Sequence, residues 1–264
     1  MKDREELQNL AEKGDLKGLV EALGHPQPFI RFAASDLLAA QGVSAMPVLM
    51  EALVSDNPDV RKGAARALGL IGDKHAVRPL LSRLEVENPS VSQFIIDALA
   101  DIGDPQVVPA VCKATRSHSL SLRYSAVRAL GKMGDQKAIP FLIEALSDSA
   151  SIVRLRAAES LAYMGEPSLW APVSEMLGDS SAGVRAVAAR ALGEMGNLRA
   201  IDCLLAMLGS DIESDVLETV KALGRLGSSR AVKPLKEARA REGREKVLEA
   251  IAEALEEIAN SGRE

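Results

Sequence analysis

The sequence predicts an all-α solenoid in which eight two-helix repeats of about 31 residues stack in line. Three observations carry this. Lining the chain up on its "ALG" element, intact at Leu68, Leu130, Leu192 and Leu223, gives a column of Leu38, Leu68, Leu99, Leu130, Leu161, Leu192, Leu223 and Leu255, with spacings of 30, 31, 31, 31, 31, 31 and 32 residues. Eight residues before these leucines stand Ile30, Val60, Val91, Leu122, Val153, Val184, Asp215 and Val247; four residues after them stand Gly42, Gly72, Gly103, Gly134, Gly165, Gly196, Gly227 and Ala259. Aromatic residues make up only 3% of a chain that is 47% hydrophobic, so its interior must be built from Ala, Leu, Val and Ile.

The chain opens with a charged helical stretch, residues 2–13, expected to cap the array. The repeats follow at about 15–42, 43–72, 73–103, 104–134, 135–165, 166–196, 197–227 and 228–259, making residues 1–264 a single domain. Within a repeat, Val60, Ala64, Leu68 and Ile71 fall at i, i+4, i+8 and i+11, one apolar stripe of a helix, and Gly72 stands where a left-handed residue would end it. Asp73, Asp104 and Asp135 are placed to cap the next helix. Pro47, Pro79, Pro109, Pro140, Pro172 and Pro234 lie near the start of that helix, where a missing N–H costs little. A helix of this length with one apolar stripe is marginal alone, so the recurring letters are read as the positions that touch the next copy. "KEARAREGREK" (236–246) and the polar helix at 245–259 suit an exposed last repeat.

The pattern V-R-x-x-A-A-x-x-L-G-x-[IM]-G-D at Val60–Asp73 returns nearly intact at Leu122–Asp135, Val153–Glu166 and Val184–Asn197. It resembles the short HEAT-like repeat of the phycobilisome-lyase type, over residues about 15–259. The resemblance implies a right-handed superhelix whose second helices line an inner, concave face. It also implies an Asp–Arg ladder between neighbours. Asp148 with Arg154 and Asp179 with Arg185 keep the ladder's six-residue spacing; Arg31, Arg61 and Arg123 lack the Asp, and Ser92, Val216 and Leu248 replace the Arg. These departures predict local weakening, with repeat seven, where Asp215 takes the branched-residue position, as the softest joint.

If the invariant letters hold copies together, the variable ones on the second helices face a partner. They include Phe32, Gly63, Arg66, Ala67, Leu70, Phe94, Tyr124, Ser125 and Arg128 in the first four repeats, and Leu155, Arg156, Glu159, Tyr163, Val187, Arg190 and Leu217 beyond. One column, Asp36, Arg66, Asp97, Arg128, Glu159, Arg190, Lys221 and Glu253, alternates in sign except at Arg190–Lys221, and is expected to form a chain of ion pairs. Aromatic residues with arginines nearby are the composition of protein-binding hot spots. The expected partner-binding residues are therefore Tyr124, Tyr163, Phe94, Leu155, Arg66, Arg128, Arg156, Glu159 and Arg190, with no catalytic and no metal-binding residues.

The expected function is a non-catalytic scaffold or adaptor that grips a protein or peptide. The alternative implied by the resemblance is a subunit of a bilin lyase of phycobilisome type. A net charge of −5 and mixed-sign columns argue against a nucleic-acid track, which needs one sign throughout. The leading "MKDREELQNLAEKG" holds no apolar block, so neither a signal peptide nor a membrane span is expected, and the expected setting is cytoplasmic. Cys112 and Cys203, three repeats apart, are expected to be reduced. His25, His75 and His118 fall in expected turns without a second ligand at metal spacing, and no His-Glu dipeptide of the kind that holds iron in deoxyhypusine hydroxylase occurs, so no cofactor is expected.

Overall fold

The computed structural model describes residues 2–261, among which there are seventeen α-helices and no strand. They form two compact units that meet in sequence at Asp135 and Gln136. The first holds α1 (Lys2–Glu12), α2 (Leu16–Ala22), α3 (Pro28–Ala40), α4 (Met46–Ala52), α5 (Pro58–Ile71), α6 (Val77–Leu84), α7 (Pro89–Ile102), α8 (Val108–Ala114) and α9 (Leu120–Met133). The second holds α10 (Ile139–Ala145), α11 (Ser151–Tyr163), α12 (Trp170–Glu175), α13 (Ala182–Met195), α14 (Ile201–Met207), α15 (Glu213–Leu226), α16 (Val232–Arg241) and α17 (Glu245–Ser261). Each unit is an α-solenoid stack of two layers. The longer, odd-numbered helices pack on one another, α3 on α5 on α7 on α9 and α11 on α13 on α15 on α17, and each shorter helix packs on the longer one that follows it. The leading helix α1 packs on α3 as α3 packs on α5, so it takes a place in the longer-helix layer.

Local chemistry sets the boundaries. Asn57 and Asn88 accept backbone N–H groups at the starts of α5 and α7, each followed by a proline at the first helical position. Gly72 ends α5 with φ 74°, its N–H donating to Leu68 O, a conformation that costs a residue with a Cβ; seven other turn glycines share it, with φ between 61° and 71°. Asp73 Oδ1 then accepts His75 N–H at 2.8 Å, and Asp104 Oδ1 accepts Gln106 N–H at 3.0 Å. These caps close short 3₁₀ turns, Lys74–Ala76 and Pro105–Val107, that lead into α6 and α8.

The repeated leucines are the core. Leu38, Leu68, Leu99, Leu130, Leu161, Leu192 and Leu223 are fully buried, each contributing about 1.5–3 kcal/mol of apolar burial. Leu255 is only half-buried, because α17 has no following helix among the described residues. Where a glycine follows the leucine, it sets the spacing between neighbouring helices. A Cβ on Gly69 would lie 2.6 Å from Ala98 Cα, and one on Gly193 would lie 2.7 Å from Ala222 Cα. There α5 meets α7, and α13 meets α15, backbone against backbone.

The arginines tie turns to neighbours in a way the expected ladder did not describe. Nη1 of Arg154 donates to the carbonyl oxygens of Asp148 and Ser149, at 2.9 and 3.3 Å, while Nε and Nη2 hold both carboxylate oxygens of Asp179 in the following repeat, at 2.7 and 2.8 Å. Arg31, Arg61 and Arg123 make the same carbonyl contacts without an Asp six residues before them, since the guanidinium binds the backbone there and any residue supplies a carbonyl. The missing acids therefore do not weaken these turns. Arg61 takes its carboxylate from Glu87, 2.9 Å away. Arg185 takes its own from Asp215, with Nε 2.8 Å from Oδ2, and Ser210 Oγ donates to the same oxygen at 3.1 Å. Asp215, at the position expected to make repeat seven the softest joint, is thus the acid that ties repeat seven to repeat six, although its Oδ1 is buried without a partner.

With the layers in such close contact, Gly69→Ala and Gly193→Ala should each destabilise the fold by about 1–3 kcal/mol through overpacking, despite the ~1 kcal/mol that alanine offers a helix interior. Gly183→Ala, whose Cβ would meet nothing closer than 3.7 Å, should be neutral or slightly stabilising; urea unfolding followed by circular dichroism separates the two cases. The Asp179 side chain is 6% exposed, and its hydrogen bonds from Arg154 hold its carboxyl below the ordinary carboxylate range. Its folded pKa is lowered, so its contribution is complete above the unfolded value of about 3.9 and is lost as pH falls through the folded value. Asp179→Asn should cost about 3–5 kcal/mol at neutral pH by leaving Arg154 half-buried without its acid. Asp202→Asn, in the exposed Arg230 pair, should cost under ~1 kcal/mol in the same assay.

Candidate interaction surface on the longer helices

Each longer helix in the first unit carries a second stripe at four-residue spacing, turned away from its leucine: Phe32 and Asp36 on α3, Lys62, Arg66 and Leu70 on α5, Asp97 and Asp101 on α7, Tyr124, Arg128 and Lys132 on α9. All are half-buried or exposed. One residue further along, the helix has turned about 100° toward its neighbour. Gly63, Ala67 and Ser125 accordingly lie between layers rather than on the open face, and Val187 does the same on α13. Their reading as partner-facing positions fails for that reason.

In the first unit this face holds a pocket of about 300 Å³. Small residues, Ala98, Ala100 and Ala129, form part of its lining, Phe32, Phe94 and Leu70 add apolar surface, and Arg66, Arg128 and Lys132 line it beside Asp97 and Asp101. A smaller hollow of about 100 Å³ shares Phe32, Arg66 and Phe94 with it. The charges are matched across neighbouring helices. Arg66 Nη1 donates to Asp36 Oδ1 at 2.6 Å, Arg128 Nη2 to Asp97 Oδ1, and Lys132 Nζ to Asp101 Oδ1. The guanidinium carbon of Arg66 also lies 5.3 Å from the centre of the Phe32 ring, within reach of a cation–π contact. Burial pushes the Asp97 carboxyl up from its ordinary value; Arg128 pulls it down and Asp101 adds to the rise.

Of the expected partner-binding residues, Arg66, Phe94 and Arg128 come together in this pocket. Tyr124 is half-buried on α9 and is not part of the lining. Leu155, Arg156, Glu159 and Tyr163 lie on α11 and Arg190 on α13, in the second unit. There Glu159 pairs with both Arg156 and Arg190, each at 2.7 Å, and Tyr163 stands 77% exposed at the end of its helix. Within the expected column the ion pairs are separate, an acid on one repeat with a base on the next, Asp36 with Arg66, Asp97 with Arg128 and Glu159 with Arg190; in the second unit Glu194, 4.0 Å from Arg190 and 3.9 Å from Arg225, continues the last of them into a chain from α11 to α15. Lys221 pairs with Glu218 on its own helix, at 3.2 Å, since Arg190 on the neighbouring helix carries the same sign. The lining alanines were missed by sequence reasoning. They share the composition of the buried seam, and only the separation of the walls opens a hollow above them.

His25 and His118 lie in turns and His75 in a 3₁₀ turn, where it meets Asp73 at 2.7 Å; among the described residues no three His, Cys, Asp or Glu side chains gather as a metal site. Cys112 and Cys203 are free thiols, and no single described helix is long and apolar enough to cross a membrane.

Comparison with known proteins adds the family. The Escherichia coli protein YibA is 20% identical, with 98% of this chain and 97% of that one covered and a TM-score of 0.72. An engineered protein is 21% identical over 97% of this chain and 81% of its own, with a TM-score of 0.56. At such identities the likeness concerns the fold alone. The complex of CpcE and CpcF of phycocyanin lyase from Nostoc is 21% identical over 92% of this chain and 94% of that one; its TM-score of 0.49 is too low to carry an argument about activity. No curated protein sequence matches the chain. The family model for HEAT repeats matches residues 16–91, 77–162 and 139–220, a span that contains the column from Leu38 to Leu192, the turn glycines from Gly42 to Gly196 and the arginine ties: the chain belongs to the HEAT-repeat family.

Proposed function

We propose that the chain is a non-catalytic scaffold that holds a peptide or protein segment against the open face of its longer helices. The observation that carries this reading is the pocket of the first unit. Two phenylalanines and a leucine line it beside arginine, lysine and aspartate, and Phe32 and Leu70 are 46% and 50% exposed. Large apolar side chains left open to water at the centre of a charged rim match the composition of interface hot spots, where a few aromatic and arginine residues carry most of the affinity.

The charged pairs suit orientation better than affinity. An exposed pair contributes under ~1 kcal/mol to stability, but a rim of alternating sign disfavours wrongly charged partners. A phosphate backbone needs unmatched positive charge, whereas Arg66, Arg128 and Lys132 each meet an acid, which favours a protein partner over a nucleic acid. In the second unit, Leu155, Arg156, Glu159, Tyr163 and Arg190 are proposed to extend the same kind of contact, with Tyr163 as its exposed aromatic.

Peptides selected from a random display library on the immobilised full chain provide the test. Binders should lose at least about tenfold in affinity, the ~1.4 kcal/mol typical of a hot-spot side chain, on Phe94→Ala and on Arg128→Glu, with thermal melting little changed. Arg230→Glu, on a turn away from the pocket, should leave binding intact. Binders indifferent to Phe94 and Arg128, or a library that yields none, would overturn the reading.

A further inference from the structure

We propose that the pocket of the first unit receives one large uncharged apolar side chain of the partner, aromatic or aliphatic, seated over the seam between α5 and α7. This rests on the reading of the face as partner-binding and names the chemistry of its anchor.

The way the ion pairs fall is the first reason. On this face α3 is joined to α5 by Asp36 with Arg66, and α7 to α9 by Asp97 with Arg128 and Asp101 with Lys132. Among the described residues no ion pair joins α5 to α7. Arg66 donates away from that seam, to α3, while Asp97 and Asp101 accept from its far side, from α9. What the seam keeps is carbon: Leu70 on α5, Phe94 on α7, and the buried Ala98 where it seats against Gly69.

Matched charge is the second reason. The three bases of the lining are answered by Asp97, Asp101 and, on α3, Asp36, so the pocket holds no spare charge of either sign. An ion that entered would give up its water and gain only a share in a pair already made. An apolar side chain gives up nothing of that kind. It takes from water the carbon that the pocket leaves open, since Phe32 and Leu70 are about half exposed and the helices behind them are already packed. Size agrees: about 300 Å³ admits one large side chain and no folded element, and the smaller hollow that shares Phe32 and Phe94 extends the same apolar walls.

The test titrates the full chain with Ac-Gly-Trp-Gly-NH2 and Ac-Gly-Leu-Gly-NH2, and with their lysine and glutamate counterparts, following backbone amide signals by NMR. The apolar probes should bind saturably with a millimolar-range Kd, about fivefold or more tighter than the charged two, with the signals of Leu70 and Ala98 among those that shift. Their affinity should hold within about twofold as NaCl rises from about 0.05 M to about 0.5 M, a change that weakens binding through a charge. Leu70→Asn, at a half-exposed position, should weaken the tryptophan probe by about threefold or more and leave the melting temperature nearly unchanged. Equal or tighter binding of a charged probe, a steep loss in salt, indifference to Leu70→Asn, or no saturable binding by the apolar probes would overturn the proposal. Library peptides that depend on Phe94 yet tolerate alanine at each of their large apolar side chains would overturn the anchor and leave the scaffold reading standing; a library without Phe94-dependent binders would instead remove the scaffold reading, and the anchor with it.

Discussion

Burial of one leucine per repeat against the next copy is the interaction on which everything else depends. A helix of thirteen or fourteen residues with a single apolar stripe does not hold its shape in water, because nucleation is costly and the stripe needs a partner. Within each unit the partner is the neighbouring helix of the same layer, together with the shorter helix packed on it. Leu68 is fully buried, and beside it Gly69 lets the backbone of Ala98 come as close as two helices can. Apolar area and close contact come from small residues repeated many times, so the chain needs almost no aromatic core. Its few aromatic residues are released for other uses, and Phe32 and Tyr163 spend that freedom on the surface.

The same register defines the open face. Because a helix turns about 100° per residue, fixing the leucine toward the neighbour fixes which positions look away. Arg66, two residues before Leu68, lies on the open side; Ala67, between them, is sealed. A residue of the open face can therefore vary without touching the glue, and a change in the glue moves the residues of the face beside it. The pocket is a product of both. Its alanines belong to the packing layer, Phe32 and the charges belong to the open stripe, and Phe94 stands in the column of Gly63 and Ser125, where it is half-buried.

Electrostatics works at two depths. At the turns, arginine heads such as Arg154 bind backbone carbonyls and a nearly buried carboxylate together, and there the loss of one partner strands a desolvated charge. On the open face, pairs such as Arg190 with Glu159 stay hydrated and add little to stability. Asp215 shows how burial changes the meaning of a residue. As a letter it interrupts a column of branched apolar residues; in place it is 2% exposed and holds Arg185 and Ser210.

The sequence by itself determined the layer structure. The leucine column, the turn glycines and the starting prolines are periodic, and periodicity is local information that a helix converts directly into direction. Arg66 and Arg128 were legible as open-face residues for that reason, whereas Phe94 shares the register of the closed-off Gly63 and Ser125. What only the tertiary structure decided was which of them share a hollow, that Arg61 reaches Glu87 and Arg185 reaches Asp215, and that Gly63 and Val187 are closed off. Those outcomes depend on the distance and rotation between neighbouring helices, which are set by contacts such as Gly69 on Ala98 and Gly193 on Ala222 and not by any one helix read alone.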